Sequence, residues 1–266
     1  MSIRFKSWPV WLAVIAVCIA TAAPRARAAA MKHLLVVTYT TGFRHADSIP
    51  VAEKVIAMLG EESGEFDVDY ARTADDVKTK MTADALNKYD GVVFCQTTGD
   101  LGLPDRQAFL DYIKAGHGFI GTHSATDTYH DWPAYIDMIG AEFMTHGKQV
   151  EVDVHNEDPN HPAAKFLPST FKVFDEIYEF KPGSFSRAKS HVILAMTKHP
   201  QTGQPGDYWT SWCRCYGNGK VFYTALGHRP DIWKSPWYQQ HLLGGIEWAL
   251  GLQPGSCTPS AELTQK

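Results

Sequence analysis

Gly118-Phe119-Ile120-Gly121-Thr122-His123-Ser124-Ala125-Thr126-Asp127 is the stretch whose reading decides the fold. Phe119 and Ile120 read as the end of a buried strand, Gly121 allows a tight turn, and a polar cluster follows. A sharp strand-to-turn elbow is how α/β folds present one reactive side chain. Ligands of open α/β sheets sit outside the carboxyl ends of the strands, where the strand order reverses. Here the presented residue is His123. Taken alone, one glycine turn favours a histidine merely satisfied in a loop, so the reading depends on what the neighbouring strands deliver.

Upstream, His33 to Tyr39 is a short apolar run without helical period, as expected of a buried parallel strand. Thr40 to His45 is a polar loop turning at Gly42. Asp47 or Ser48 is placed to cap a helix with Pro50 in its first turn; Val51, Val55, Met58 and Leu59 form its apolar face, and it ends at Gly60 or Gly64. Phe66 to Tyr70 alternates apolar and acidic residues, as in a more exposed strand. A short helix over Thr82 to Leu86, a buried strand over Gly91 to Cys95 and a helix opened by Pro104 complete the run to Gly118. Strands alternating with helices predict a parallel sheet with helices on both faces. No dinucleotide fingerprint follows the first strand, since Thr41 to His45 holds a single glycine, so no nucleotide cofactor is expected.

Downstream, the pattern turns β-rich. Trp132 to Ile139 is a short helix and Gln149 to His155 a strand. Val173 to Phe180 reads as one strand interrupted by Asp175, Glu176 and Glu179, so part of it must meet water or a ligand. Tyr178, two residues beyond Glu176, falls on the same face of such a strand. Val192 to Met196 is a further strand. Tyr208 to Tyr216, Gly217-Asn218-Gly219 and Lys220 to Leu226 form a hairpin that delivers Gly227-His228-Arg229. Pro236 opens a last helix with Leu242, Leu243, Ile246 and Leu250 as its core face. Most tryptophans of this half read as core.

The first residues predict export. Arg4 and Lys6 precede an apolar run from Trp8 to Ala23, and Ala26-Arg27-Ala28 supplies small residues at cleavage spacing. The run is short for a membrane span, so stable membrane insertion is not expected. Cleavage after Ala28 leaves 238 of the 266 residues as one domain, and the loss of four basic side chains takes the formal charge from −4 to −8. That charge argues against nucleic acid or an anionic membrane as partner. Cys95, Cys213, Cys215 and Cys257 remain. A bridge from Cys213 or Cys215 to Cys257 is expected in an oxidising compartment, with Cys95 a buried free thiol.

Four polar clusters follow or lie on these strands: Arg44-His45-Asp47, His123 with Asp127, Asp175-Glu176-Tyr178, and His228-Arg229; His146 is a fifth candidate. Parallel strands bring their carboxyl ends to one edge, so the loops can share a crevice. Two or three imidazoles with a carboxylate suit a divalent cation such as zinc; without a cation they serve as acid and base. We expect His45, His123, His146 and His228 as metal ligands, His123, Glu176 and His228 as catalytic groups, and Arg44, Asp127, Tyr178 and Arg229 as substrate contacts. His33, His117, His155, His161, His191 and His199 read as structural.

As a set, Gly121 to Asp127, Asp175-Glu176-Ile177-Tyr178, Tyr216 to His228 and Gly244-Gly245-Ile246-Glu247-Trp248-Ala249-Leu250 resemble the ThuA-like, trehalose-utilisation family. The resemblance spans roughly Lys32 to Gly251. It implies a flavodoxin-like α/β fold similar to class I glutamine amidotransferases, with an additional β-rich section in the second half. It also implies a small-molecule sugar, such as a keto-disaccharide or glycoside, as substrate, and a separate sugar oxidoreductase in the same pathway. The chain departs from the amidotransferases at the nucleophile: Gly121-Thr122-His123-Ser124-Ala125 puts imidazole where their Gly-x-Cys-x-Gly elbow has a thiol, so no thioester route exists. Ser124 is a weaker substitute nucleophile. The alternatives to a keto-sugar enzyme are a non-catalytic carbohydrate-binding protein and a Ser- or metal-dependent hydrolase.

Overall fold

The structure is a computed structural model that describes residues 1–2 and 30–263. The export segment lies outside the described residues. The described residues form eleven strands: β1 (Lys32–Val37), β2 (Phe66–Ala71), β3 (Gly91–Cys95), β4 (Gly118–Thr122), β5 (Phe143–His146), β6 (Val150–Asn156), β7 (Thr170–Asp175), β8 (Tyr178–Phe180), β9 (His191–Lys198), β10 (Pro205–Tyr216) and β11 (Gly219–Thr224). Nine form one sheet in the order β2-β1-β3-β4-β11-β10-β9-β6-β7, while β5 and β8 pair apart. The pairings from β2 through β11 are parallel. With β11 as the fifth parallel strand, the order is the 2-1-3-4-5 of flavodoxin-like folds, reversing between β1 and β3. The β-rich section continues this sheet through antiparallel pairings from β11 to β7.

The main helices are α1 (Ile49–Ser63), α2 (Ala74–Lys80), α3 (Ala83–Leu86), α4 (Arg106–Lys114), α5 (Pro133–Ile139), α6 (Pro230–Lys234) and α7 (Pro236–Ala249). The two-residue period of the strands sorts the core. Leu34, Val36, Ile120 and Phe222 face α1 and α7, with Ile56, Leu242 and Ile246. Leu35, Val37, Phe119 and Tyr223 face α4 and α5, with Phe109 and Tyr135. At about 25 cal/mol per Å² of apolar surface removed from water, these two layers supply the main drive to fold.

Several local expectations change. Ser48 takes the N-cap position of α1 but makes no side-chain cap; its hydroxyl bonds to the Gln96 amide instead. α2 was not expected, although Thr73 and Asp76 close a capping box in front of it. Gly121 does not turn: it lies inside β4, where an added Cβ would meet Tyr223 at 3.0 Å and Ala125 and Ile139 at 3.2 Å. The turn is made by His123 itself, at φ +46°. The expected Val173–Phe180 strand is two strands in different sheets, parted at Glu176-Ile177. Cys215 bridges Cys257, and Cys95 and Cys213 are buried free thiols. Among the described residues no helix is long and apolar enough to cross a membrane.

Candidate functional site

The sheet's topology gathers the site. His45 follows β1, Gln96 follows β3, His123 follows β4 and His228 follows β11, all at carboxyl ends of parallel strands. Four antiparallel pairings separate β11 from β7, so β7 runs in the same sense as β11 and brings Asp175 and Glu176 to the same edge. One ligand atom from each of His45, His123, Glu176 and His228 lies within 4.8 Å of the others.

His123 is fully buried, and its ring is oriented from behind. Its Nδ1 lies 2.8 Å from the Ala225 carbonyl. A carbonyl only accepts, so Nδ1 carries the proton and Nε2 offers a lone pair. That Nε2 is 3.4 Å from Glu176 Oε2 and 3.3 Å from His228 Nδ1. His228 Nδ1 is 3.1 Å from the same Glu176 oxygen. His45 sits edge-on to both rings, with centroids 4.8 Å from His123 and 5.0 Å from His228, and its Nδ1 is 3.5 Å from Ser124 Oγ. The left-handed backbone of His123, unusual away from glycine, is the sort of strain that functional sites hold.

The electrostatics follow from shared burial. Burial, reinforced by the neighbouring His123 and His228, brings His45 down to about 3, so its ring is neutral. Burial alone would raise Glu176, but the contacts of the His123 and His228 rings with it outweigh that and hold the carboxyl well below its usual range. Burial opposes the charged form of His228, and its bond to Glu176 outweighs that and raises it. The cluster therefore holds an ionised carboxylate and at least one neutral imidazole, the donor set that divalent transition metals take.

His146 does not join the four. It is exposed on β5 and touches the other Glu176 oxygen, Oε1, at 3.1 Å. The fourth group expected from sequence to be imidazole is thus the carboxylate of Glu176, because the break after β7 turns that residue inward. Tyr178 is buried, its ring 4.2 Å from His123 and 4.3 Å from Phe143, so it walls the site rather than lining an open surface. Asp127 is engaged away from the cluster, with His130 Nε2 at 2.7 Å. Arg44 and Arg229 rim a cleft of ≈ 450 Å³ with Phe43, His45, Asp47, Gln149 and His228. Arg44 donates to the Thr38 carbonyl, and Arg229 pairs with Asp231 and Gln149. A second hollow of ≈ 500 Å³, beside Asp158, His191 and Ser260, lies away from the cluster. Its His191 is already held by Asp158 at 2.8 Å and by the Thr258 carbonyl.

Gln96 and Asp175 are the contributions that sequence reading undervalued. Gln96, buried at φ +54°, bonds through Nε2 to the Gly227 carbonyl at 2.5 Å. Asp175, fully buried, accepts from Gly227 N–H at 2.7 Å. A polar loop after an apolar strand was the available signal for Gln96.

Solved structures share this architecture. A putative ThuA-like protein from Parabacteroides merdae is 22% identical, with a TM-score of 0.69 over 85% of this chain and 92% of that one. Another from Bacteroides uniformis is 20% identical, with a TM-score of 0.69 over 90% and 99%. A β-galactosidase from Bacillus circulans sp. alkalophilus, 11% identical, matches over 84% of this chain but 32% of its own, with a TM-score of 0.52. At these identities the likeness is one of fold. No curated protein matches the chain. The family described as ThuA, trehalose utilisation, matches residues 33–249, and the chain belongs to it.

Proposed function

We propose that this protein is an exported enzyme of sugar metabolism that acts on a keto-disaccharide or glycoside at the His45–His123–Glu176–His228 cluster. The observation that carries this reading is the convergence of three imidazoles and one carboxylate within 4.8 Å at the carboxyl edge of the sheet. The donor set fits a divalent cation, with Nε2 of His123 turned inward by Ala225 and Glu176 held ionised. When bound, such a cation polarises a carbonyl or hydroxyl oxygen.

The chain's own residues handle the protons. A keto-sugar has acidic hydrogens beside its carbonyl, and removing one needs a base at the mouth of the site. His146, exposed and 3.1 Å from Glu176 Oε1, takes that proton, and the ionised Glu176 stabilises the imidazolium that forms. The cleft rimmed by Arg44, Arg229 and Gln149 receives the sugar, whose hydroxyls suit their donors, while exposed Phe43 offers an apolar face for a pyranose. A separate oxidoreductase supplies the keto group, since no nucleotide fingerprint is present.

The exposed aromatic rim also suits a carbohydrate-binding protein without turnover, in which the histidines only bond hydroxyls. Incubating purified protein with a 3-keto-glucoside, with and without added Zn²⁺, separates the two. Consumption of the substrate, lost in His123→Ala, supports the enzyme; saturable binding with no product removes it. Intact mass of the exported protein starting near Ala29 supports export, and retained Met1 removes it.

A further inference from the structure

The strap from Ala225 to His228 holds two imidazoles at once. It carries His228 covalently, and it orients His123 through the Ala225 carbonyl. The strap is tied along its length. Ala225 N–H donates to the Thr210 carbonyl at 2.7 Å, and Tyr238 donates to the Leu226 carbonyl at 2.9 Å. The Gly227 peptide is gripped at both ends: its N–H by Asp175, and its carbonyl by Gln96 and by the Trp233 indole at 2.7 Å.

Two of these ties are costly in themselves. Asp175 is a fully buried carboxylate whose Oδ1 meets no hydrogen-bond partner among the described residues. An apolar residue of similar size would serve the fold better, because an unsatisfied buried oxygen bears its full desolvation penalty. Gln96 stands at φ +54°, the left-handed region that glycine and asparagine adopt readily and a glutamine does not. Gly227 is itself at φ +112°, and a Cβ there would meet Tyr238 Oη at 2.6 Å. Strain and desolvation thus converge on one peptide next to the cluster, the pattern of a site held in a required geometry.

We propose that Gln96 and Asp175 are positioning residues: by gripping the Gly227 peptide from its two ends they fix His228 against His123 and so set the affinity of the cluster for a divalent cation. This rests on the cation-binding reading above. The test uses Co²⁺, whose d–d absorption reports ligand geometry, on the full protein. Asp175→Ala and Gln96→Glu each weaken Co²⁺ binding by about 10–100-fold, the usual effect of removing an outer partner, and alter the d–d band. Asp175→Asn, which keeps an acceptor for Gly227 N–H, stays close to the wild type. Phe109→Ala, on the buried face of α4, lowers the thermal midpoint and leaves affinity and band unchanged. If Asp175→Ala does not fold, Gln96→Asn tolerates the left-handed backbone, shortens the reach to Gly227 and carries the same expectation. Folded Asp175→Ala and Gln96→Glu proteins that bind Co²⁺ like the wild type overturn the proposal. Should the wild type take up no Co²⁺, the cation reading fails and the positioning claim is judged by ring-proton NOEs. The His123 and His228 centroids are 5.2 Å apart, so a contact is expected in the wild type and lost in both variants. Its persistence in both overturns the proposal as well.

Discussion

Two groups of histidines, one partly and one fully enclosed, teach different things. At the carboxyl edge stand His45, His123 and His228; away from it lie His161 in the loop after β6, His191 at the start of β9 and His241 on α7. Burial lowers the proton affinity of members of both groups: His45 to about 3, His161 to about 3, His241 to about 4. Burial and perturbed titration therefore do not mark the site. The interior rings each end on the fold. His241 Nδ1 bonds the Ala163 carbonyl at 2.7 Å, and His161 Nδ1 accepts from Ala163 N–H while its Nε2 faces Cys213. The edge rings instead face one another and share one carboxylate. Convergence on a common point separates a reactive group from a packed one.

That contrast breaks most directly by exchange. His123→Ala is expected to lower turnover of a keto-glycoside by roughly 10²–10⁴-fold, the range for a lost acid–base or positioning group. His241→Asn, which keeps a donor for Ala163, leaves turnover near the wild-type rate. Equal losses in steady-state assays would erase the distinction between the groups.

The disulfide sharpens the same contrast from the structural side. Cys215→Ser opens a link across 42 residues and should cost about 2–4 kcal/mol of stability in urea titrations, without changing cation affinity. A loss of cation binding in the folded variant would tie the bridge to the site.

Titration gives a smaller effect with a definite sign. An unfolded imidazole binds a proton below about 6.5, whereas folded His45, His161 and His241 do not until about 3 to 4. Stability therefore falls as pH drops from about 6.5 towards 4, by at most about 1.4 kcal/mol per pH unit for each group. His228, raised by Glu176, has the opposite sign: its contribution is present below about 6.5 and fades as pH rises through its folded value. Glu176 adds stability above the ordinary carboxyl range that is lost only at strong acidity. His45→Gln should remove the edge group's share of the acid sensitivity and leave that of His161 and His241. An acid sensitivity between pH 7 and pH 5 that is the same in His45→Gln and the wild type would contradict the burial of His45. The smallest effect belongs to Cys95→Ser: burial pushes this thiol up to about 12, so turnover should persist, and its loss in a folded variant would restore a thiol mechanism.

Much of this was legible in the sequence. Apolar runs bounded by glycine and helix caps fixed the parallel strands, and their carboxyl ends foretold where His45, His123 and His228 meet. What escaped is non-local. No sequence period tells that the acid-interrupted segment breaks at Glu176 and crosses to a second sheet, because its pattern fits one strand equally well. Gly121 read as the turn because glycine favours turns; its actual reason is Tyr223, a contact made 102 residues later in the chain. Gln96 and Asp175 matter through a peptide, Gly227, that only the folded sheet brings between them. His146 and Glu176 exchanged places in the expected ligand set for the same reason: pairing of β5 with β8 leaves the imidazole outside and the carboxylate within.

The central claim is that the edge cluster binds a divalent cation. Metal analysis of the purified protein after equilibration with Zn²⁺ and removal of excess tests it most directly, with His123→Ala/His228→Ala alongside. One zinc per wild-type chain and none retained by the double variant is the expected result. No retained zinc in the wild type, or equal zinc in both proteins, would contradict it.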